Sequence, residues 1–386
     1  MCKTNRAHRP IAGKSTVANY AFHLDATEFA NYLKETSVRR GVKHVEADVE
    51  RVDRLPNGHI QQLHTSGAQC LSADLYIDCT GFTGVLIEKE MQDPFIDWSD
   101  YLLCDRAVVC RQPYRNQNEF IPPYTVSKGL NAGWSWSIPL HNRKGHGYVY
   151  SSRHTSDETA ADELLQDAGC GDKTGTDLRH LKMRVGRRAN FWKHNCVSLG
   201  LSSGFIEPLE STGIFLIQRA LEVLVEWFPS KSYSAPLIKA YNQRMGGVFA
   251  EVRDFIILHY LLSQRNDQPF WIDSRNVPVP DSLQDLLDFY RETGMIKEVT
   301  QDPVFQKTNF YHVLVGGNNL PRQSRSRAEF SNFPAVCQLL ENIRSNNASL
   351  VKKLPHHDAL MQWLHQRESV SDTGAKVESH LHSAAF

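Results

Sequence analysis

The sequence predicts a mixed α/β fold (α+β in the order of its elements) with a helical C-terminal region, and three observations predict it. Between residues 42 and 77, short segments with strand-like alternation surround a Pro56-Asn57-Gly58 turn. Residues 95–180 carry mixed strands and loops. From Pro236 onward apolar residues recur with a helical period, and 241–259 is a long helix candidate. We expect four segments: a polar N-terminal segment 1–19, a main module 20–235, a helical region 236–370 and a disordered tail 371–386.

The first elements lead to a glycine turn. A helix is predicted from Asp25 to about Arg40, with Phe29, Leu33 and Val38 on its apolar side. Strands are then predicted over 42–52, 60–64 and 75–77. The last strand runs into Asp78-Cys79-Thr80-Gly81-Phe82, where Cys79 is expected to be a small buried residue. Such turns bring backbone close to a dinucleotide in flavoproteins, and an ordinary strand-end turn has the same pattern.

Two tryptophans mark a short strand over 133–139. Trp134 and Trp136 are two residues apart, so both indoles project from one face of an extended strand, and Ser135 and Ser137 project from the other. An aromatic wall of this kind either packs on the core or faces a ligand.

The segment 204–213 predicts the start of a helix. Pro208 and the polar residues up to Thr212 precede an apolar helical pattern that begins at Gly213 and ends near Phe228, and Ser211 or Thr212 is the expected N-cap. The first N–H groups of a helix lack internal acceptors and lie at the positive end of its dipole. The backbone at Thr212 and Gly213 is therefore a candidate anion site, although many helix starts bind only water.

Several ordered blocks resemble the flavin-dependent tryptophan halogenase family. Two of them are the tryptophan strand WxWxIP and the helix start EPLESTG. The remaining blocks are spread over most of the chain: 20–26 (YAFHLDA), 78–82 (DCTGF), 147–153 (GYVYSSR), 184–188 (RVGRR), 195–201 (NCVSLGL) and 253–260 (RDFIILHY).

The resemblance implies an FAD-dependent, monooxygenase-like flavoprotein fold of the two-dinucleotide type. It implies a halogenase that uses FADH2 from a transiently bound flavin reductase, together with oxygen and chloride or bromide. The hypohalous acid formed at the flavin would pass through a tunnel to an electron-rich aromatic substrate. We also expect a cytoplasmic protein, with a homodimer as one allowed state.

The resemblance also assigns residues. Glu210 and Ser211 would be catalytic, with Glu210 orienting the halogenating species or taking the ring proton. The halide would lie at Thr212 and Gly213. The remaining residues fall into two groups: flavin contacts at Val49, Asp78, Gly81, Leu201 and Ile214, and residues that keep substrate from flavin at Trp134, Trp136 and Pro139.

One expected motif is missing from the sequence. No G-x-G-x-x-G string occurs, although such flavoproteins begin with a strand and this phosphate-binding turn. The family's tunnel lysine lies in the same early part, and no lysine here can be assigned its role. We therefore expect the C-terminal portion of a halogenase, without its first βαβ unit and inactive as it stands. Gly13-Lys14-Ser15-Thr16 ends like a phosphate-binding loop but follows no apolar strand.

The substrate region differs from that of tryptophan-specific members. Their aromatic clamp corresponds to the shorter stretch 304–313 here, with Phe305 near the position of the clamp tryptophan. Together with 264–271, this favours indole-like or phenolic small molecules over free tryptophan. The alternatives are a non-catalytic remnant or interaction module and a flavin-dependent aromatic hydroxylase.

Composition excludes several classes of partner. The 386 residues contain 43 Lys and Arg against 43 Asp and Glu, so no surface for nucleic acid or anionic membrane is predicted. No apolar run reaches membrane length. The eight cysteines lack C-x-x-C spacing, which predicts free thiols. His356, His357 and His365 lie in a helical pattern without cysteine partners, and no metal site is predicted.

Overall fold

The computed structural model describes residues 2–11, 20–116, 119–170, 177–297, 303–322 and 332–371. The strands are β1 (Val49–Arg54), β2 (Ile60–Thr65), β3 (Cys70–Leu71), β4 (Tyr76–Asp78), β5 (Phe95–Asp97), β6 (Arg106–Pro113), β7 (Val126–Gly129), β8 (Gly133–Pro139), β9 (Arg143–Tyr150), β10 (Arg179–Lys182), β11 (Gly186–Arg188), β12 (Trp192–Lys193), β13 (Cys196–Ser198) and β14 (Gly204–Phe205). The helices are α1 (Ala26–Arg39), α2 (Asp157–Ala168), α3 (Gly213–Glu226), α4 (Ala235–Leu261), α5 (Pro269–Arg275), α6 (Asp281–Thr293), α7 (Lys307–Gly316), α8 (Phe333–Lys353) and α9 (His357–Ser371).

Two predictions fall largely on residues that the structure does not describe. The string Gly13-Lys14-Ser15-Thr16 lies outside the described residues. So does the tail predicted over 371–386, apart from Ser371, which ends α9.

The first sheet is small and antiparallel, in the order β1-β2-β3. The predicted turn between β1 and β2 is confirmed: the Gly58 N–H donates to the Leu55 carbonyl at 2.9 Å, and Gly58 has a φ of 89°. The predicted strand over 42–52 is wrong in its first part, because the strand begins only at Val49. Residues 42–48 are exposed, so their valines have no partner strand that would extend the pairing.

A second sheet carries the glycine turn at its edge. β4 pairs in parallel with β13, which pairs with β12. The Asp78 carboxylate accepts hydrogen bonds from the Thr80 N–H and hydroxyl and from the Leu86 and Ile87 N–H groups at 2.6–2.9 Å. Asp78 thus fixes the turn and the first turn of the π-helix Val85–Glu90. Cys79 is exposed, so its predicted burial is wrong.

The main sheet has five antiparallel strands in the order β10-β6-β9-β8-β7. One face is covered by α2, whose Ala160, Ala161 and Leu164 pack on Val108 and Tyr148. This helix begins after the Ser156 N-cap and was not predicted, since only strands and loops were expected over 95–180. The other face carries the two tryptophans and joins the large core.

The Trp136 indole packs over a glycine on the neighbouring strand, where a side chain would clash with it. It is paired with Gly147 of β9, and a Cβ at Gly147 would lie 2.4–2.5 Å from the indole ring. We expect Gly147→Ala to lower the free energy of unfolding by about 1–3 kcal/mol through overpacking. Urea denaturation measures this. The matched control is Gly247→Ala, where a Cβ meets nothing within 4 Å and a helix gains a better helix former. Equal stability of the two variants would contradict the prediction.

The large core is built around α4, which confirms the helix predicted over 241–259. Its buried residues Val252, Phe255 and Ile256 pack among residues of α3, α5, α6 and α7. Phe305 stacks on Phe255 with ring centroids 4.0 Å apart. One core therefore includes residues from both sides of the boundary predicted at residue 235.

The predicted helix after Asp25 is confirmed as α1, and the Asp25 carboxylate accepts the Thr27 N–H at 3.0 Å as its N-cap. Its predicted apolar side is not buried, however, because Phe29, Leu33 and Val38 are all exposed. The N-terminal segment is bound elsewhere: the Ala7 N–H donates to Pro355, and the His357 N–H to Asn5, each at 3.0 Å.

Candidate active site

The tryptophan strand forms the predicted wall. Trp134 and Trp136 lie on one face of β8, and the Trp134 indole N–H donates to Glu207 Oε1 at 3.2 Å. Pro139, at the end of β8, has its carbonyl 3.0 Å from Nδ1 of His23. The neighbouring Asp25 pairs with Arg143 of β9 at 2.7 Å. The block 20–26 is thus held beside the tryptophan strand β8 and its neighbour β9, although it is far from both in the sequence.

The start of α3 follows two short turns. Ser211 has a left-handed backbone with a φ of 55°, which is uncommon for a residue other than glycine. Thr212 occupies the predicted N-cap position, but its side chain makes no capping hydrogen bond. A Cβ at Gly213 would meet nothing within 4 Å, so the backbone at this helix start is open to a small ligand.

Glu210 lies beside a histidine of α4. Its Oε1 is 2.9 Å from Nε2 of His259, whose Nδ1 lies 2.8 Å from the Phe255 carbonyl. Because a carbonyl only accepts hydrogen bonds, Nδ1 carries a hydrogen. In a neutral imidazole Nε2 would then be an acceptor and could not bond to a carboxylate. A hydrogen bond between Nε2 and Glu210 therefore requires one further proton, on either residue.

A cavity of about 380 Å³ adjoins this pair. Its lining is mainly aromatic and apolar and includes Trp134, Leu209 and Trp271. The polar groups of the lining include His259 and Tyr260 of α4 and His312 of α7. The Trp271 indole is fixed because its N–H donates to the Leu130 carbonyl at 2.8 Å. Lys128 also lines the cavity, and its ammonium pairs with Asp167 at 2.5 Å. The described lining includes no Asp or Glu.

A second cavity, of about 700 Å³, is lined by none of the predicted site residues. His59, His194, Arg187 and Lys239 line it, next to the first half of α4. It is therefore separate from the Glu210 region.

The predicted flavin contacts are only partly brought together. Gly81 and Leu201 lie on short turns, Gly81–Thr83 and Gly200–Ser202, which contact each other, and the second of these turns contacts α3, where Ile214 lies. Leu201 and Ile214 are each more than 40% exposed. Val49 lies on the separate sheet β1-β2-β3. A Cβ at Gly81 would meet nothing within 4 Å, so the backbone of this turn is open.

Four lining residues were missed by the sequence reasoning as site residues: His259, Tyr260, Trp271 and His312. These residues lie in the blocks 253–260, 264–271 and 304–313, but a sequence alone does not show which side chains face a cavity. Phe305, which is expected near the position of the clamp tryptophan, stacks on Phe255 and is not among the described residues that line the cavity.

Other classes of site find no support in the described parts of the chain. There, no group of three or more His, Cys, Asp or Glu could hold a metal ion. Over the same residues, no helix has both the length and the apolar character needed to cross a membrane. All eight cysteines are free, as predicted.

Comparison with known proteins decides the family. The family model described as tryptophan halogenase matches residues 1–332. The chain belongs to the tryptophan halogenase family. It is 35% identical to tryptophan 7-halogenase RebH of Lentzea aerocolonigenes over 378 residues, covering 93% of this chain and 71% of that protein. It is 34% identical to tryptophan 6-halogenase ThaL of Streptomyces albogriseolus, covering 90% and 68%.

Solved structures confirm the predicted fold for this tryptophan halogenase family member. BrvH, a flavin-dependent halogenase from Brevundimonas sp. BAL3, superposes with a TM-score of 0.87 at 32% identity, covering 94% of this chain and 73% of that one. The chain is thus an FAD-dependent halogenase by family, an enzyme of the oxidoreductase type. The family uses FADH2 and a halide, with a separate flavin reductase.

Proposed function

We propose that this protein halogenates a neutral, electron-rich aromatic small molecule such as indole, with chloride or bromide, in the cavity beside Glu210. One observation carries the proposal: the Glu210–His259 pair lies at the edge of an aromatic-lined cavity whose wall includes Trp134. A flat aromatic ring fits such a lining because aromatic pairs gain from stacked or edge-to-face contact.

The proposed halide site is the backbone at Thr212 and Gly213. It is supported by the open space at Gly213 and by the positive end of the α3 dipole. Flavin is proposed to lie on the exposed surface of Gly81, Leu201 and Ile214, while Asp78 contributes by fixing the turn. For Val49 the proposed contact rests on the family resemblance alone.

Each proposed residue then has a chemical task. When bound, FADH2 would give two electrons to oxygen, which would take two more from the halide and leave an electrophilic halogen species and water. The Trp134 and Trp136 strand, ending at Pro139, keeps the aromatic ring on the cavity side. In the substitution, a carbon–halogen bond forms and a carbon–hydrogen bond breaks. We propose that the Glu210 carboxylate receives the ring proton, with Ser211 holding the turn that presents it.

The cavity lining supports indole over free tryptophan. An amino acid substrate carries an ammonium group, which binds best to a carboxylate when water is excluded. The described lining offers Lys128, His259 and His312 but no Asp or Glu, and the Glu210 carboxylate at the cavity edge is already paired with His259. RebH and ThaL are named as tryptophan halogenases, so a preference for indole would separate this protein from them.

A competition assay tests the proposal. The full chain is incubated with FAD, NADH, a flavin reductase and bromide, with indole and tryptophan in equal amounts, and products are identified by mass spectrometry. We expect bromoindole to form at least about tenfold faster than bromotryptophan, which corresponds to about 1.4 kcal/mol of discrimination. Omission of the reductase is the control, because no FADH2 is then supplied.

Other outcomes favour the alternatives. Faster bromination of tryptophan would reject the proposed substrate class. Oxygenated product without halogenation, at saturating bromide, would indicate a hydroxylase. An absence of any product together with an absence of FAD binding would support the non-catalytic remnant and the predicted inactivity. Light scattering on the same preparation measures whether the proposed homodimer forms.

A further inference from the structure

A buried carboxyl group lies behind the cavity. Glu207 is 0% exposed and stands three residues before Glu210. Two groups donate to its Oε1: the Trp134 indole N–H at 3.2 Å and the Tyr260 hydroxyl at 2.5 Å. Trp134 belongs to the main sheet and Tyr260 to α4, so this single oxygen atom joins the two layers that enclose the cavity.

A cysteine extends this network. Cys104 is fully buried, and its Sγ lies 3.7 Å from the Tyr260 hydroxyl oxygen. Burial raises the pKa of both the Cys104 thiol and the Tyr260 phenol, so both groups keep their hydrogens near neutral pH. The Tyr260 hydrogen is directed to Glu207, and the Cys104 thiol contacts both the Tyr260 oxygen and, at 4.0 Å, the Val149 carbonyl oxygen. The contacts thus run from Cys104 through Tyr260 to Glu207.

The second oxygen of Glu207 differs from the first. Oε2 is buried and has no hydrogen-bond partner among the described residues. Burial raises the pKa of Glu207 to about 7, although the donors Tyr260, Trp134 and Cys104 partly oppose this. Since Oε1 already accepts two hydrogen bonds, Oε2 is the atom that gains or loses the proton. Glu207 therefore changes charge close to neutral pH, in contact with two residues of the cavity wall.

We propose that Glu207 is a positioning residue that fixes Trp134 and Tyr260 in the cavity wall, and that its protonation state is coupled to occupancy of the cavity by an aromatic ligand. The inference rests on the proposed function only for the nature of that ligand. The family resemblance implies no role for Glu207, and Glu207 is not among the described residues that line the cavity.

The direction of the coupling follows from solvation. An aromatic ligand excludes water from Trp134 and Tyr260, which makes the surroundings of Glu207 less able to stabilise a charge. Binding then favours the neutral acid, so affinity falls as pH rises through about 7. The titratable and charged groups that face Glu207 or its donors are Cys104 and Asp105 before β6, and His259 and Tyr260 on α4.

The test reads the indole N–H of Trp134 directly. The chain labelled with ¹⁵N-tryptophan is followed by NMR from about pH 5.5 to about pH 8.5, a range that spans the expected proton loss. The Trp134 signal is assigned by its absence in Trp134→Phe. We expect it to shift with a midpoint near pH 7 in the wild type and to be independent of pH in Glu207→Gln. In Tyr260→Phe, loss of one donor should raise the midpoint.

Calorimetric titration with indole provides the second readout. We expect the wild type to bind indole about threefold to tenfold more weakly at the upper pH than at the lower one, and Glu207→Gln to bind equally at both. The exposed Glu222→Gln is the matched control and should behave as the wild type. Glu207→Gln keeps the size of the side chain and an acceptor oxygen, so it tests charge without leaving a cavity.

Each result has one meaning for the inference. A Trp134 signal that is constant in the wild type, or that titrates identically in Glu207→Gln, would overturn it. If no variant binds indole at any pH, the proposed function fails. Even if the proposed function fails, a Trp134 signal that titrates only when Glu207 is present would support the inferred role of Glu207 in positioning Trp134.

Discussion

Glu210→Gln is expected to lower the rate of halogenation by about 10²–10⁴-fold, the range by which a positioned acid or base accelerates proton transfer. The amide keeps the shape of the side chain but cannot receive the ring proton. It also cannot hold the additional proton shared with His259 Nε2, which lies 2.9 Å from Glu210 Oε1. Single-turnover rates with indole, bromide and supplied FADH2 measure the effect.

Binding separates this effect from a loss of structure. The indole dissociation constant of Glu210→Gln should stay within about twofold of the wild type, because truncating a transition-state interaction leaves ground-state binding unchanged. Glu222→Gln, an exposed glutamate on α3, should keep the full rate. A Glu210→Gln variant that retains more than about a tenth of the rate would show that proton removal occurs elsewhere.

Glu207→Gln is expected to make the protein more stable at alkaline pH. Glu207 has an ordinary pKa of 4.5, which burial raises to about 7 in the folded protein. Between these values the folded state holds one proton more than the unfolded state, so stability falls as pH rises through this window. The contribution is fully present below about 4.5 and lost above about 7. Since one pKa unit corresponds to 1.36 kcal/mol, this loss is roughly 3 kcal/mol for a fully buried group.

Urea denaturation at two pH values measures the difference. At about pH 5, wild type and Glu207→Gln should differ by less than about 1 kcal/mol, because both side chains are neutral in the folded state. At about pH 8.5, Glu207→Gln should be the more stable by roughly 2–3 kcal/mol. Glu222→Gln is the matched control, because Glu222 is an exposed glutamate on α3. A constant difference between wild type and Glu207→Gln at the two pH values would contradict the assigned ionisation.

Local patterns in the sequence are sufficient to predict many of the helices and strands. The Trp134 and Trp136 strand, the helix that starts at Gly213 and the long helix over 241–259 each depend on side-chain periodicity, which a sequence displays directly. Ordered blocks were sufficient for the family. The strand predicted from residue 42 failed because alternation gives no information on whether a partner strand is present.

The cavity could not be predicted because its walls come from distant segments. Trp134, Tyr260 and His312 are separated by more than fifty residues at each step, and only tertiary packing brings them together. Glu207 is a further example. Glu210 belongs to a block that carries the family resemblance. The burial that raises the pKa of Glu207, in contrast, depends on the Cys104 segment and on α4.

The close packing of Trp136 on Gly147 has an evolutionary consequence. No side chain fits at position 147 while an indole covers it, because the ring lies 2.4–2.5 Å from any Cβ there. The two positions cannot change independently. Relatives with a larger residue in place of Gly147 should therefore carry a smaller one in place of Trp136, and the substitution at the tryptophan must come first for the intermediate to fold well. Once Trp136 is replaced by a smaller residue, a larger side chain fits at position 147 of β9. Replacement of Gly147 before Trp136 would be selected against.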